Sequence, residues 1–522
     1  MNKTLMRASV ILAVSAAPAM AQTLAIGVGN PVNSADPQFT NTTSNIAMGN
    51  HVFDRLVHTD AALRREPGLA ESYRPISDTV WEFKLRPGVT WHDGRPFTAE
   101  DVAFSIRRVP NVPGSTGGFT FAVRRITQVE VVDALTIRFH TNGPHPLLPT
   151  DLSQVAILAR HVGEGVAAED FNSGRAAIGT GPFRFVSYHP GSGAVFVRND
   201  AYWGPAPAWA RVDYKFLAND PARTAALLSG DVQIIDQVPT SDLPRLRRDA
   251  RFRISEVDGV RVIFLQPDFS RTGEVPRVTD NQGRPLPRNP FLDLRVRRAL
   301  NHAIDRQALA ERVMEGTAVA TGQWLPAGFY SYNPDVGVPA YDPALSRRLL
   351  AEAGFPDGFR LVLTSPSDRY PNDAKVAQAV AQFWTRVGVR TEVEALPWAV
   401  YSPRGATQAY AVRLHGWGSG TGEASYLLRN IIGTYDRAAG TGTANHMRYS
   451  NPALDGLTER AITTLDDGSR EQILRQAVAM ASEDLGFMPL FLLRNAWASR
   501  ADLRHEPRAD EQTLAQGVTP AH

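Results

Sequence analysis

The stretch from Phe359 to Leu396 constrains this chain most. FRLVLTS is a short apolar run, and KVAQAVAQFWTRVG sets Val376, Val380, Phe383 and Val387 on one helical face. VRTEVEAL then alternates Val389, Thr391, Val393 and Ala395. A period that switches from strand to helix and back marks a strand–helix–strand unit. A crossover of this kind is right-handed, so the two strands lie parallel with the helix on their sheet. Ligands at such sheets sit beyond the strand ends. The turn SPSDRYPND and the segment PWAVYSPR are therefore candidate pocket edges, supplying Arg369, Trp398, Tyr401 and Arg404.

Elsewhere, strand-like and helix-like patterns alternate, which favours an α/β architecture. VWEFKLRPGVTWHDG alternates Trp81, Phe83 and Leu85 and reads as a hairpin turning at Pro87-Gly88. In FTAEDVAFSIRR, Thr98 and Asp101 form a capping pair that opens a helix. NPFLDLRVRRALNHAI puts Val296, Leu300 and Ala303/Ile304 on one face behind Asp293 as N-cap, and Asp305 caps the next helix. YDPALSRRLLAEAG has Asp342 as cap, Pro343 at the first helical position and Gly354 as its stop.

One segment breaks this rhythm. LHGWGSGTGEASYLL, from Leu414 to Leu428, crowds four glycines into seven positions around Trp417 and carries a single acid, Glu423. So much glycine makes a poor helix or strand, but it lets a surface approach closely. The segment reads either as a flexible surface loop or as a pocket wall.

The N-terminus MNKTLMRASVILAVSAAPAMA has a basic start, a short apolar stretch and an A-x-A end at Ala19-Met20-Ala21. This is the pattern of a cleavable export signal, with the mature chain beginning at Gln22. The apolar stretch is too short to span a membrane. With no cysteine, disulfides, thiolate metal sites, a cysteine nucleophile and a lipidated N-terminal cysteine are all excluded. An exported chain with no lipid anchor is expected in a Gram-negative periplasm. Without Lys3 and Arg7 the chain has 53 basic and 53 acidic residues, and only four of all its basic residues are lysines. That balance does not suit a nucleic-acid binder. No G-x-S-x-G elbow, Walker A loop or H-E-x-x-H helix occurs, and the twelve histidines are scattered. Catalysis and a metal site have no positive support, and no cofactor is expected.

Several stretches resemble the extracytoplasmic solute-binding proteins of peptide/nickel-type ABC importers, family 5, in the family's order. They are ADPQFT, WEFKLRPGVTWHDGRPFTAEDVAFSIRR, GTGPFRFVSYHPG with RNDAYWG, AALLSGDVQII, LRVRRALNHAIDRQAL, YDPALSRRLLAEAGF and MPLFLL. The resemblance implies a two-lobed periplasmic binding fold of type II, a Venus flytrap that closes on its ligand. Lobe I would span residues 22–264, with an inserted subdomain at about 58–176. Lobe II would span 265–488, and 489–522 would return to lobe I. The implied partners are a small ligand and an inner-membrane permease, and a monomer is expected.

The resemblance also assigns roles. In dipeptide binders the GW segment walls the pocket, and an aspartate three residues past the tryptophan holds the ligand amine. Here Trp417 keeps the aromatic, Gly418 and Gly420 bring backbone to the ligand, and the aspartate's place falls on Gly420. Glu423 is the remaining nearby acid. Arg369 matches the arginine that grips the ligand carboxylate, and Trp398 matches a pocket tryptophan. Asn41, Thr42 and Thr43 fall where lobe I lines the site. These matches imply a peptide-like, γ-glutamyl-like or other carboxylated solute, with a metal chelate or sugar conjugate as other ligands the scaffold serves. A secreted peptide hydrolase and a chaperone-like periplasmic peptide binder are the competing readings.

Overall fold

The computed structural model describes residues 23–30, 32–115, 118–437 and 439–521. The signal-like segment 1–21 and the expected new terminus, Gln22, lie outside them. Among the described residues no helix is long and apolar enough to cross a membrane.

An eleven-stranded mixed sheet runs through the molecule. At one end the strand Phe359–Pro366 pairs in parallel with Val389–Leu396, joined by the helix Asp373–Arg386. This is the crossover expected from the periodicity, and Val376, Val380 and Val387 are buried beneath it. Next come Val412–Gly418 and then two long antiparallel strands, Phe252–Pro267 and Met488–Arg500. The sheet continues through Ile234–Ile235, Thr23–Val28 and Arg211–Phe216 to a closing meander.

The two long strands belong to both halves of the sheet, and their pairing shifts register twice, at Asp258/Val262 and again at Ile263/Phe264. Asp258 faces Arg494 and Val262 faces Leu492, so Gly259–Arg261 stand opposite the single Leu493. An excess of residues on one strand bends it and sharpens its twist.

Separate apolar clusters pack against the sheet's two halves. Leu24, Ile26, Phe196 and Tyr214 belong to one, and Leu300, Leu361, Val380 and Trp384 to another. A third core holds Trp81, Phe83, Trp91 and Phe139 under a four-stranded antiparallel sheet. In that sheet Val80–Leu85 does not form the expected hairpin at Pro87-Gly88. It pairs upstream with Ala70–Ser77 and on its other edge with Thr136–Thr141. Both edges of this central strand are occupied, and Pro87-Gly88 only leads into a narrow loop where Thr90 bridges Pro96.

The capping motifs form as expected. Thr98 and Asp101 make a capping box on Ala99–Arg108, and Asp293, Asp305 and Asp342 accept backbone N–H groups at their helix starts. Distant motifs also meet. Arg108 forks onto Asp36 of ADPQFT. His92 of WHDG accepts from Gly179 N (3.2 Å) and sits 3.1 Å from Gly181 O, clamping GTGPF. A Cβ at Gly179 would lie 1.7 Å from Val52 O, so no other residue fits there.

Candidate functional site

Between the two halves lies a cavity of about 1610 Å³, floored by Val260, Arg261 and Leu493–Asn495 at the first register shift. Asn41, Thr42 and Thr43 reach it from the first half, at the start of helix Thr43–Val52. Arg369, Trp398, Trp417, Gly418 and Gly420 reach it from the second.

Arg369 sits in the turn between Phe359–Pro366 and the crossover helix. The Asp373 carboxylate accepts the backbone N–H groups of Arg369 and Tyr370 (both 3.1 Å), and Asp368 accepts that of Trp398 (2.7 Å). These bonds tie the two pocket edges together. The Arg369 guanidinium lies 5.2 Å from the Trp398 ring centre and 5.8 Å from that of Tyr370. No carboxylate among the described residues pairs with it, and it is exposed to the cavity. A flat cation lying on an aromatic face, with its donors unspent, suits a carboxylate.

Beneath Trp398 runs an aromatic stack. His415 lies 5.8 Å from Trp398, Tyr401 lies 6.0 Å from His415, and Tyr410 lies 5.2 Å from Tyr401, each pair within 25° of parallel. Burial, reinforced by the charges of Arg413, Arg369 and Arg261, holds the His415 ring well below its usual pKa. It presents a neutral ring to the cavity. Tyr401 itself is buried, its hydroxyl donating to Leu414 O (2.7 Å), and it does not reach the cavity. Arg404, one turn further along the same helix, pairs with Glu394 (3.4 Å) outside the site. On helix Trp398–Ala406 only the first residue lines the cleft; Tyr401 is buried, Arg404 pairs with Glu394, and Val400, Ser402 and Pro403 are exposed outside it.

The glycine-rich segment divides in two. Val412–Gly418 is a strand after all, paired with Phe252–Pro267 and with Phe359–Pro366. Its glycine is demanded at Gly416, where a Cβ would lie 2.6 Å from Ile263 and 2.8 Å from Tyr370. At Gly418 and Gly420 an added Cβ would meet nothing closer than 3.5 Å. The half-buried Trp417 faces the cavity, and its buried indole N–H has no partner among the described residues.

Glu423 is not at the cavity. It is 4 % exposed and takes two hydrogen bonds from Arg470 (2.9 and 3.1 Å) and one from the Ser425 hydroxyl. Arg470 in turn lies over the Tyr330 ring at 4.7 Å. The acid belongs to a buried ion pair inside the second half, so the segment offers the cleft no carboxylate.

Sequence reasoning missed several cavity residues. His415 was legible in principle, since a strand places it on the same face as Trp417. Arg261, which forks onto Glu511 (2.7 and 3.0 Å), and Arg494, paired with Asp258 (2.9 Å), carried no local signal. Among the described residues no group of three or more His, Asp or Glu side chains is placed to hold a metal ion.

A large cleft floored by paired strands, with a free cation and flat aromatic faces on one wall, defines a receptor for a small solute. The chain belongs to the bacterial extracellular solute-binding proteins, family 5, whose middle-region model matches residues 64–438. Members of this family bind solutes and do not catalyse reactions on them. The chain is 27% identical to heme-binding protein A of Haemophilus influenzae, over 86% of this chain and 83% of that protein. It is 26% identical to the dipeptide-binding protein of Escherichia coli, over 90% and 89%. Its fold matches that of the periplasmic binding protein DppA from Helicobacter pylori, solved with the peptide STSA. That match has a TM-score of 0.78 and 21% identity, over 96% of this chain and 98% of the other.

Proposed function

We propose that this chain is the exported substrate-binding component of an ABC importer in a Gram-negative periplasm. Residues 1–21 would be its cleaved signal, and an inner-membrane permease would receive its cargo. Two lobes, 22–264 with 489–522 and 265–488, would close on a peptide-like or other carboxylated solute. The observation that carries this reading is the unpaired Arg369 guanidinium lying on Trp398 in the cleft wall. Trp417, Gly418 and Gly420 would contact the solute from the same side, with Asn41, Thr42 and Thr43 opposite. The free-amine recognition of a dipeptide is not supported, because Gly420 has no side chain and Glu423 is committed to Arg470.

The test begins with mass spectrometry of whatever co-purifies with the exported protein. Calorimetry of that ligand should then show Arg369→Ala losing roughly 2–5 kcal/mol, at least about thirtyfold. Esterifying the ligand carboxylate should weaken binding to wild type and change little further on the variant. Equal binding of acid and ester by wild type would remove Arg369 as the carboxylate partner.

A further inference from the structure

Arg55 follows the helix Thr43–Val52 in the first half and lines the same cavity as Arg369. Its backbone is fixed, bridging Ala156 and accepting from Leu69 N at 2.9 Å. The side chain is another matter. Arg55 is 5 % exposed, its Nη2 is wholly buried without a partner, and its guanidinium makes no hydrogen bond or ion pair with any described residue.

The charges that act most on it, Asp54, Arg508 and Asp510, are committed elsewhere, as are others along the floor. Arg508 forks onto Asp510 (2.8 and 3.1 Å) and donates to the carbonyls of Thr59 and Asp60. Gln512 uses both Asp510 oxygens as well. Glu511 is taken by Arg261, and Asp258 by Arg494. Asp54 accepts from Thr180 and Trp203 (both 2.8 Å) and meets His58 at 3.3 Å. Burial lowers the Arg55 pKa to about 10, with Asp54 and Asp510 opposing and Arg508 assisting, so it stays cationic at neutral pH. Leaving a buried charge uncompensated is among the costlier things a fold can do. An arginine fork left open at a cavity wall is a place for an anion.

We infer that Arg55 is a second anion-binding subsite, and that the solute is doubly acidic, spanning from Arg369 in one half of the molecule to Arg55 in the other. The doubly acidic solute rests on the carboxylate reading at Arg369, whereas the anion site at Arg55 stands without it. A ligand charged at both ends also fits a glycine-rich segment that offers the cleft no carboxylate for an amine.

Two measurements on the full exported protein, stripped of bound ligand, test this. In the first, thermal unfolding of wild type, Arg55→Gln and Arg55→Lys is followed in phosphate and in chloride at matched ionic strength. Phosphate should raise the wild-type midpoint by several degrees more than that of Arg55→Gln, with Arg55→Lys between them. In chloride, Arg55→Gln should unfold no lower than wild type, since it removes an unpaired charge. An equal phosphate effect on wild type and Arg55→Gln, or failure of Arg55→Gln to fold, makes Arg55 structural and overturns the site.

In the second, calorimetry compares linear diacids from glutarate to pimelate with their monomethyl esters. Wild type should prefer the best diacid at least tenfold, and Arg55→Gln and Arg369→Gln should each abolish that preference. No preference in wild type removes the doubly acidic solute. Loss of the preference in Arg55→Gln but not in Arg369→Gln would overturn the role of Arg369 and leave Arg55 standing.

Discussion

Glu423 and Arg369 show how burial sorts ions that the sequence alone places at the same site. Glu423 is enclosed with Arg470, and each carries the other's charge. Truncating one partner of a buried pair strands the other, at roughly 3–5 kcal/mol. Glu423→Ala should therefore lower chemical-denaturation stability by about that much while the folded protein keeps its ligand affinity. Lost affinity at unchanged stability would return Glu423 to the pocket. Trp417 is the opposite case: it faces the cavity with its indole N–H unsatisfied, although buried polar groups in folded proteins are nearly always bonded. Trp417→Ala should cost about 2 kcal/mol of affinity or more and little stability, as calorimetry and thermal unfolding of the same preparation would show.

At the scale of the element, the strand Val412–Gly418 is held by its two neighbours and not by its own propensity. Gly416 lets Tyr370 pack against the strand, and the Tyr370 hydroxyl donates to Gly416 O at 2.9 Å. Gly416→Ala must push Ile263 or Tyr370 aside, an overpacking cost of about 1–3 kcal/mol. Because Tyr370 neighbours Arg369, affinity should fall along with stability. Gly420→Asp meets open space, its nearest neighbour being Gln154 at 3.9 Å. It should fold as wild type and weaken an acidic ligand by placing a like charge on the cavity wall. A pair of variants in which Gly420→Asp destabilises and Gly416→Ala does not would reverse this assignment. The same comparison explains why the strand was illegible locally. Glycine lowers strand propensity at every position, but here a tertiary neighbour requires it at one.

Across the whole molecule, the halves touch at the cleft rim through small polar contacts and a few apolar ones, Leu63 packing beside Phe329 and Gly422 and Leu465 against the core of the four-stranded sheet. Gln154 donates to Gly420 O (3.3 Å), Arg124 to Gly440 O (3.3 Å) and Asn372 to Thr240 (3.4 Å), and Arg65 meets Asp467 at 3.4 Å. The exposed polar contacts are worth about 0–1 kcal/mol each, so the ligand's own contacts to both lobes should supply much of the closing energy. Small-angle scattering should thus show a larger radius of gyration without ligand than with it. Ligand at a hundredfold excess over its Kd should add about 2.7 kcal/mol of stability. An unchanged radius would overturn closure.

Stability should also depend on pH through buried histidines. His51, donating to Ala47 O and accepting from Ala515 N, is held neutral by burial, which pushes its pKa down to about 4. His92, His446 and His505 are likewise lowered to about 4. Between pH 4 and 6.5 the unfolded chain takes up protons that the folded one refuses, so stability is full above pH 6.5 and falls towards 4. His51 alone accounts for about 3 kcal/mol of that fall. Asp236, which burial raises to about 6, and Asp373, which burial also raises, act in the opposite sense but stand against five lowered histidines, His415 included. Urea unfolding between pH 4 and 7 should show the decline, shallower in His51→Gln, and a flat profile would refute it.

What the sequence determined by itself was whatever local periodicity and capping chemistry decide. The crossover at Phe359–Leu396, the caps at Thr98, Asp293 and Asp342, and the pocket edges at Arg369 and Trp398 were all legible, because each depends on neighbours a few residues away. The tertiary structure alone decided where charges meet. Arg470 claims Glu423 from 47 positions away, Glu511 claims Arg261 from 250, and nothing among the described residues claims Arg55. A charge's partner depends on which chain segments the fold brings within hydrogen-bond reach, and in a cleft between two lobes those segments are remote in sequence.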